Sequence, residues 1–280
     1  MTKSFLAGGL LVLTLGAATA FVHTGWAQSP PAAVSLVDPQ ARQILDRVIQ
    51  ALGGQTFLNA KSLTTKGRVF FFQDGATAGL EPFQTWFEYP DKRRFAIAKN
   101  KKSISMDTGN VTYEGESKQI ILINDGDKGW EIDQYGTILQ PDQQVKNWIL
   151  ANRYSLENLL RLRINEPRVL IQVGKVDFVD NIPTQGLEIT ASGGISIRLD
   201  LNRQTLLPCR ISYRIRNVKD NAWDDYADAY ADYRLIDGIQ TPMHITRYLN
   251  DERIGETYRN FAHYNDDYPA NYFSAEREAR

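Results

Sequence analysis

Residues 208–264 read as one strand after another, and no other stretch restricts the fold so tightly. Cys209, Ile211, Tyr213 and Ile215 alternate with Arg210, Ser212, Arg214 and Arg216, which sends apolar groups to one face and charges to the other. A second strand is predicted over 226–236, and Asp237-Gly238 tolerates the positive φ of a tight hairpin turn. Strands over 241–249 and 254–264 follow, turning at Asn250-Asp251-Glu252. Consecutive antiparallel strands with one oily face must close on themselves or be covered.

The upstream sequence extends the same sheet. Residues 63–72 end in Phe70, Phe71 and Phe72, which puts rings on both faces, as in a strand covered on two sides. Residues 82–89 alternate Phe83, Thr85, Phe87 and Tyr89 against Gln84, Trp86 and Glu88, and Pro90-Asp91 ends the run. Further strands are predicted over 94–99, 118–124 and 130–132, then from residue 168 through 173, 187–191 and 195–201. Residues 103–115 predict only a turn with a weak strand. Hairpins without βαβ crossovers make an antiparallel sheet.

Two segments carry helical spacing instead. Asp38 can cap a helix opening on Pro39, with a stripe of Ile44, Leu45, Val48, Ile49 and Leu52 and a stop at Gly53-Gly54. Between 141 and 163, Val145, Trp148, Ile149, Leu156, Leu159 and Leu160 recur at helical steps, interrupted at Asn152, with Ser155 a second cap. The expected class is α+β, mainly β: a curved antiparallel sheet forming an incomplete β-barrel with a helical lid. One domain is expected over 39–273, after a linker at 28–38 and before a tail at 274–280. Amphipathic helices on such a sheet either roof a cavity or complete a solid core.

Residues 1–27 read as a secretory signal: Lys3, an apolar run over 5–22, then Gly25-Trp26-Ala27 at the cleavage end. The length of the run leaves an uncleaved N-terminal anchor as the alternative, and both readings place the domain outside the cytoplasm. No cysteine follows the run to carry a lipid, and the single one, Cys209, falls on the apolar side of its strand. The formal charge of −1, or −2 without Lys3, offers no basic face for nucleic acid. A cluster at Lys99, Lys101 and Lys102 reads as a solvated loop.

No P-loop, GxSxG, HExxH or paired CxxC occurs. His244 and His263 lie in adjacent predicted strands and could share a metal with Asp224, Asp225, Asp228 or Asp232, although ordinary surface positions explain both. The same acids, interleaved with Trp223, Tyr226 and Tyr230, resemble a sugar site with paired carboxylates, or a solvated strand face. The enzyme alternative is an envelope hydrolase acting on glycan or lipid through Asp224–Asp232; a ligand-free structural module is the other.

Several short motifs, in order, resemble the lipoprotein localisation (LolA/LolB-like) family, in particular its outer membrane lipoprotein-sorting branch. They are Ala51-Leu52-Gly53-Gly54, Gly67-Arg68-Val69-Phe70, Tyr89-Pro90-Asp91-Lys92-Arg93-Arg94-Phe95, the Asn124-Asp125-Gly126 to Trp130 hairpin, Asp232 through Pro242, and a closing stretch from Tyr264-Asn265 to Phe273. The resemblance implies an incomplete barrel with a helical lid and a non-enzymatic periplasmic carrier of lipoprotein or lipid acyl chains, passed between membrane-bound donor and acceptor proteins. It implies no cofactor and no metal, and a monomer is expected. Where the carriers have a lid-latching arginine before the strand-ending proline, this chain has Tyr89. The expected lining is Phe71, Phe83, Phe87, Phe95, Trp130 and Tyr213 from the sheet, with Trp148, Ile149, Leu156 and Leu160 from the lid.

Overall fold

The computed structural model describes residues 36–99, 102–104, 111–113, 118–217 and 221–275. The signal at 1–27, the linker up to residue 35 and the end of the tail from 276 lie outside the described residues.

Helix α1 (Pro39–Leu52) starts as its sequence requires: the Asp38 carboxylate accepts from the backbone N–H groups of Gln40 and Ala41. Its stripe of Ala41, Leu45, Val48, Ile49 and Leu52 is buried. Gly53 ends it at φ 129°, where a Cβ would stand 2.5 Å from the Gly238 carbonyl oxygen, so only glycine fits. A short helix, α2 (Gln55–Asn59), follows that the apolar spacing does not announce.

The strands are β1 (Ser62–Gln73), β2 (Ala76–Glu88), β3 (Lys92–Lys99), β4 (Lys102–Ile104), β5 (Val111–Tyr113), β6 (Lys118–Asp125), β7 (Lys128–Asp133) and β8 (Gly136–Leu139). After helices α3 (Asp142–Arg153) and α4 (Leu156–Arg161) come β9 (Leu170–Val179), β10 (Ile182–Thr190), β11 (Ser196–Asn202), β12 (Pro208–Asn217), β13 (Ala222–Ile236), β14 (Ile239–Leu249) and β15 (Glu252–Tyr264). Thirteen of them form one antiparallel sheet, ordered β8-β7-β6-β3-β2-β1-β15-β14-β13-β12-β11-β10-β9. β4 and β5 form a separate two-stranded ribbon in the poorly patterned segment.

This order places the first and last strands side by side in the middle of the sheet, and β8 and β9 at its two edges. Residues 140–169, which contain α3 and α4, therefore run from one edge to the other. The β9 edge is met by the chain entering α1, through a Val37–Ile171 bridge and an Asp38 N–H to Ile171 carbonyl bond of 2.9 Å. The β8 edge carries exposed Ile138 and Leu139.

One main core lies on the face covered by the helices. It joins the α1 stripe, Phe57, Leu156, Leu159 and Leu160 to Ile171, Leu187, Ile197, Leu199 and Ile211 from β9–β12. A second cluster occupies the opposite face, where Tyr268, Tyr272 and Phe273 of the C-terminal segment pack over Trp86, Ala96, Ile121, Ile123, Trp130 and Ile132. The sheet stays open as a curved half-barrel.

Candidate functional site

The pairing register states which side chains share the helix-covered face. One row crosses Phe71, Gly255, Arg247, Asp228, Ile211, Leu199 and Leu187 on successive strands. A second runs through Ile189, Ile197, Tyr213, Tyr226 and Leu249. A third joins Tyr264, Leu63, Phe87, Arg93 and Asn124.

Helix α3 fixes how tightly this face is curled. The Trp148 ring lies 5.6 Å from Phe87 on β2, and the Tyr154 ring lies 5.0 Å from Tyr213 on β12. β2 and β12 are five strand steps apart in the sheet, roughly 24 Å if it were flat. Six helical residues advance only about 9 Å. Only a strongly curved sheet lets one short segment touch both walls, so α3 lies across the concavity as a lid. Arg93 on β3 and Arg247 on β14 report the same curl. They are four strand steps apart, yet the Arg247 charge acts on Arg93.

The lid is fastened at one turn. The Nδ2 groups of Asn152 and Asn158 both donate to the Pro90 carbonyl, at 3.0 and 2.8 Å, and Asn158 also donates to the Asn152 carbonyl and side chain. Ser155 caps α4 by accepting from the Asn158 N–H. Glu166, just past the helices, accepts from Arg153, Arg163 and Ser192. Burial works against its charge, but these hydrogen bonds and the two guanidinium charges hold its carboxyl below the usual range.

Around the lid, several buried polar atoms have no hydrogen-bond partner among the described residues: Tyr89 Oη, Arg93 Nε, Trp148 Nε1 and Arg259 Nε. Buried polar groups ordinarily find partners, so an orphan cluster on one face is where solvent or a ligand's polar groups belong. Burial pushes the Tyr89 and Tyr213 phenols up, which keeps both neutral hydrogen-bonding groups. Burial also depresses Arg93, and with the Arg247 charge brings it to about 9. Asp228 takes Arg247 in a two-pronged pair at 2.8 and 3.0 Å and holds it charged.

The residues expected to line the site divide. Phe83 is buried and Phe87, Phe95 and Tyr213 are half-buried on the helix-covered face, and Trp148, Leu156 and Leu160 are buried in the lid. Phe71 shares that face and is 38% exposed, because β1 runs out beyond the helices and is not covered on both sides as its three rings suggest. Trp130 departs from the expectation. Paired with Ile123, it belongs to the opposite face under the C-terminal segment, because the alternation on β7 places it there. Ile149 departs too: it is 40% exposed, about 100° around α3 from the buried Trp148. Arg93, Asp228 and Arg247 were not expected in the site, although each shares its parity with a neighbouring ring or aliphatic chain (Phe95, Tyr226 and Ile245).

The acids and histidines separate. Asp225 lies on the opposite face of β13 from Asp224 and Asp228; Asp225 pairs with Arg214 and Asp228 with Arg247, and Asp224 accepts from Asn217 and Asn250. His244 stacks on Tyr258, and His263 pairs with Asp237 at 2.8 Å. His244 is registered opposite Tyr258 on β15, five residues along that strand from His263, roughly 17 Å. Among the described residues no group of three or more His, Cys, Asp and Glu gathers as a metal site. Cys209 is buried and free, its thiol pushed up to about 11 by burial. Two cavities open beside this site rather than beneath Trp148. One of about 440 Å³ is lined by Tyr89, Arg161 and Asp266 among others, and one of about 420 Å³ by Arg198, Arg210 and Tyr213 among others; Trp148 lines neither.

This geometry has solved counterparts. The fold is shared with a DUF1329 family protein. That protein, from Desulfovibrio piger, aligns over 85% of this chain and 98% of its own at a TM-score of 0.51 and 12% identity. A LolA superfamily protein from Nitrosomonas europaea aligns over the same shares at 0.46 and 14% identity. An outer membrane lipoprotein-sorting protein domain from Vibrio parahaemolyticus does so at 0.49 and 8%. No protein-family model and no curated protein sequence matches the chain. Among the described residues no helix is long and apolar enough to cross a membrane.

Proposed function

We propose that this chain is a periplasmic, non-enzymatic carrier or chaperone that shelters acyl chains of a lipid or lipoprotein between the curled sheet and its lid. The observation that carries this reading is α3 itself. Its Trp148 and the Tyr154 that caps its C-terminus reach opposite walls of the concavity, above rings that the protein's own core leaves half-covered: Phe71, Phe87, Phe95, Tyr213 and Tyr226. Orphan polar atoms beside those rings leave room for a polar end. Affinity would come from burying methylenes, roughly 0.8 kcal/mol each, a non-directional force that accepts varied chains.

The binding set on this reading is Phe71, Phe83, Phe87, Phe95 and Tyr213 from the sheet, with Trp148, Leu156 and Leu160 from the lid. The domain over 39–273 would follow a cleaved signal and meet membrane-bound donors and acceptors. Organic extraction of the purified protein followed by mass spectrometry is the test. Acyl species recovered from the wild type and lost in Trp148→Glu support a carrier; a clean extract from the wild type, or no difference in the variant, rejects it.

A further inference from the structure

Several arginines of this protein meet acids. Arg198 is bound by Glu188 and Asp200, Arg153 and Arg163 share Glu166, and Arg247 has Asp228. Arg93 is different. Its Nη2 donates to Asn124 Oδ1 at 2.8 Å, its Nε is sealed from solvent without a partner, and no carboxylate pairs with it among the described residues.

The surroundings position Arg93 without neutralising it. The Trp148 ring lies 4.1 Å from its Cζ and the Phe95 ring 5.6 Å, so the guanidinium plane is held between lid and wall. Asn124 is fully buried and its own Nδ2 is committed to Gln140 Oε1, which fixes the oxygen that Arg93 meets. Burial lowers Arg93, and the charge of another cation, Arg247, lowers it further. Part of the side chain still reaches solvent. A desolvated cation with aromatic neighbours, a fixed amide and no counter-ion is costly to keep, and the missing component is an anion.

Resting on the carrier reading, we propose that Arg93 binds the oxyanion headgroup, a carboxylate or phosphate, of an acyl lipid whose chain lies against Phe87 and Phe95 beneath Trp148. The carrier would then select anionic over neutral lipids of equal chain length.

The test is competition against a neutral fluorescent monoacylglycerol bound to the purified protein, using oleate, oleyl alcohol and inorganic phosphate. Wild type should yield the probe to oleate at a concentration roughly 10- to 100-fold lower than to oleyl alcohol, the scale of one charge-assisted contact. Phosphate alone should leave the probe in place. Arg93→Met should bring oleate to the level of oleyl alcohol with the latter little changed, and Arg93→Lys should restore part of the preference. Oleate and oleyl alcohol binding alike in wild type would overturn the headgroup contact and leave the carrier reading standing. Arg93→Met weakening both competitors equally would make Arg93 structural and overturn the proposal. Displacement by phosphate would reassign the site to a free anion. Failure of the wild type to bind the probe or either oleyl compound would overturn both readings.

Discussion

The wall built by β9–β12 and the wall built by β1–β3 belong to one curled sheet and are finished differently. In the first, Ile171, Leu187, Ile197, Leu199 and Ile211 are all sealed under α1 and α4, at 1% exposure or less. In the second, Leu63, Val69 and Phe83 are buried as well, but Phe71, Phe87 and Phe95 are half-covered or exposed, and Arg93 stands among them without an acid. Branched aliphatics are used where the protein fills its own space. Half-covered rings and a guanidinium are added where it does not, and Tyr213 is one such ring on the β9–β12 wall. The difference separates a wall that supplies stability from a wall that supplies contact.

The sharpest way to break this contrast is to truncate one residue of each kind and compare unfolding by denaturant. Leu160→Ala removes a fully buried side chain against the filled wall and should cost about 2–5 kcal/mol. Phe95→Ala, on the unfilled wall, should cost well under half of that while weakening acyl-chain binding. Equal losses would mean that both walls are simply core.

A smaller effect is expected at the fastening of the lid. Asn158→Ala deletes the donor to the Pro90 carbonyl and the bonds to Asn152, and should cost about 1–3 kcal/mol. Amide exchange should then quicken in α3 and α4 more than in β9–β12. Uniform quickening would show that lid and filled wall open as one unit.

The smallest effect is pH-dependent and sits where the lid joins the filled wall. The carboxyl of Glu166 titrates lower in the folded protein than in the unfolded chain, so its contribution is complete above the ordinary glutamate range, about pH 4.3. That contribution fades as pH falls through the folded value. Wild type should therefore exceed Glu166→Gln in stability at pH 7, and the gap should close in acid. A gap unchanged down to pH 3 would remove Glu166 from the account.

Much of this arrangement is legible in the sequence, and the reasons are local. Period-two alternation placed β12–β15, Asp38-Pro39 and Gly53-Gly54 bounded α1, and Ser155 marked the break between α3 and α4. The order of short motifs pointed to the half-barrel. What failed needed partners distant in the chain. Trp130 went to the wrong face because its cover, Tyr268 to Phe273, lies far along the sequence. Ile149 looked like lid lining because it is apolar and adjacent to Trp148, yet adjacent helical residues point different ways. Arg93 was hidden by its charge: a cation two residues before Phe95 reads as surface until the sheet is curled.

One measurement reaches the central claim directly, that the concavity under α3 holds an acyl chain against the unfilled wall. A fatty acid bearing a photoactivatable group near its methyl end can be bound, cross-linked and mapped by peptide mass spectrometry. The account predicts adducts on Phe71, Phe87, Phe95, Trp148 or Tyr213, absent in Trp148→Glu. Adducts confined to the opposite face, around Trp130 and Tyr272, or no saturable labelling at all, would contradict it.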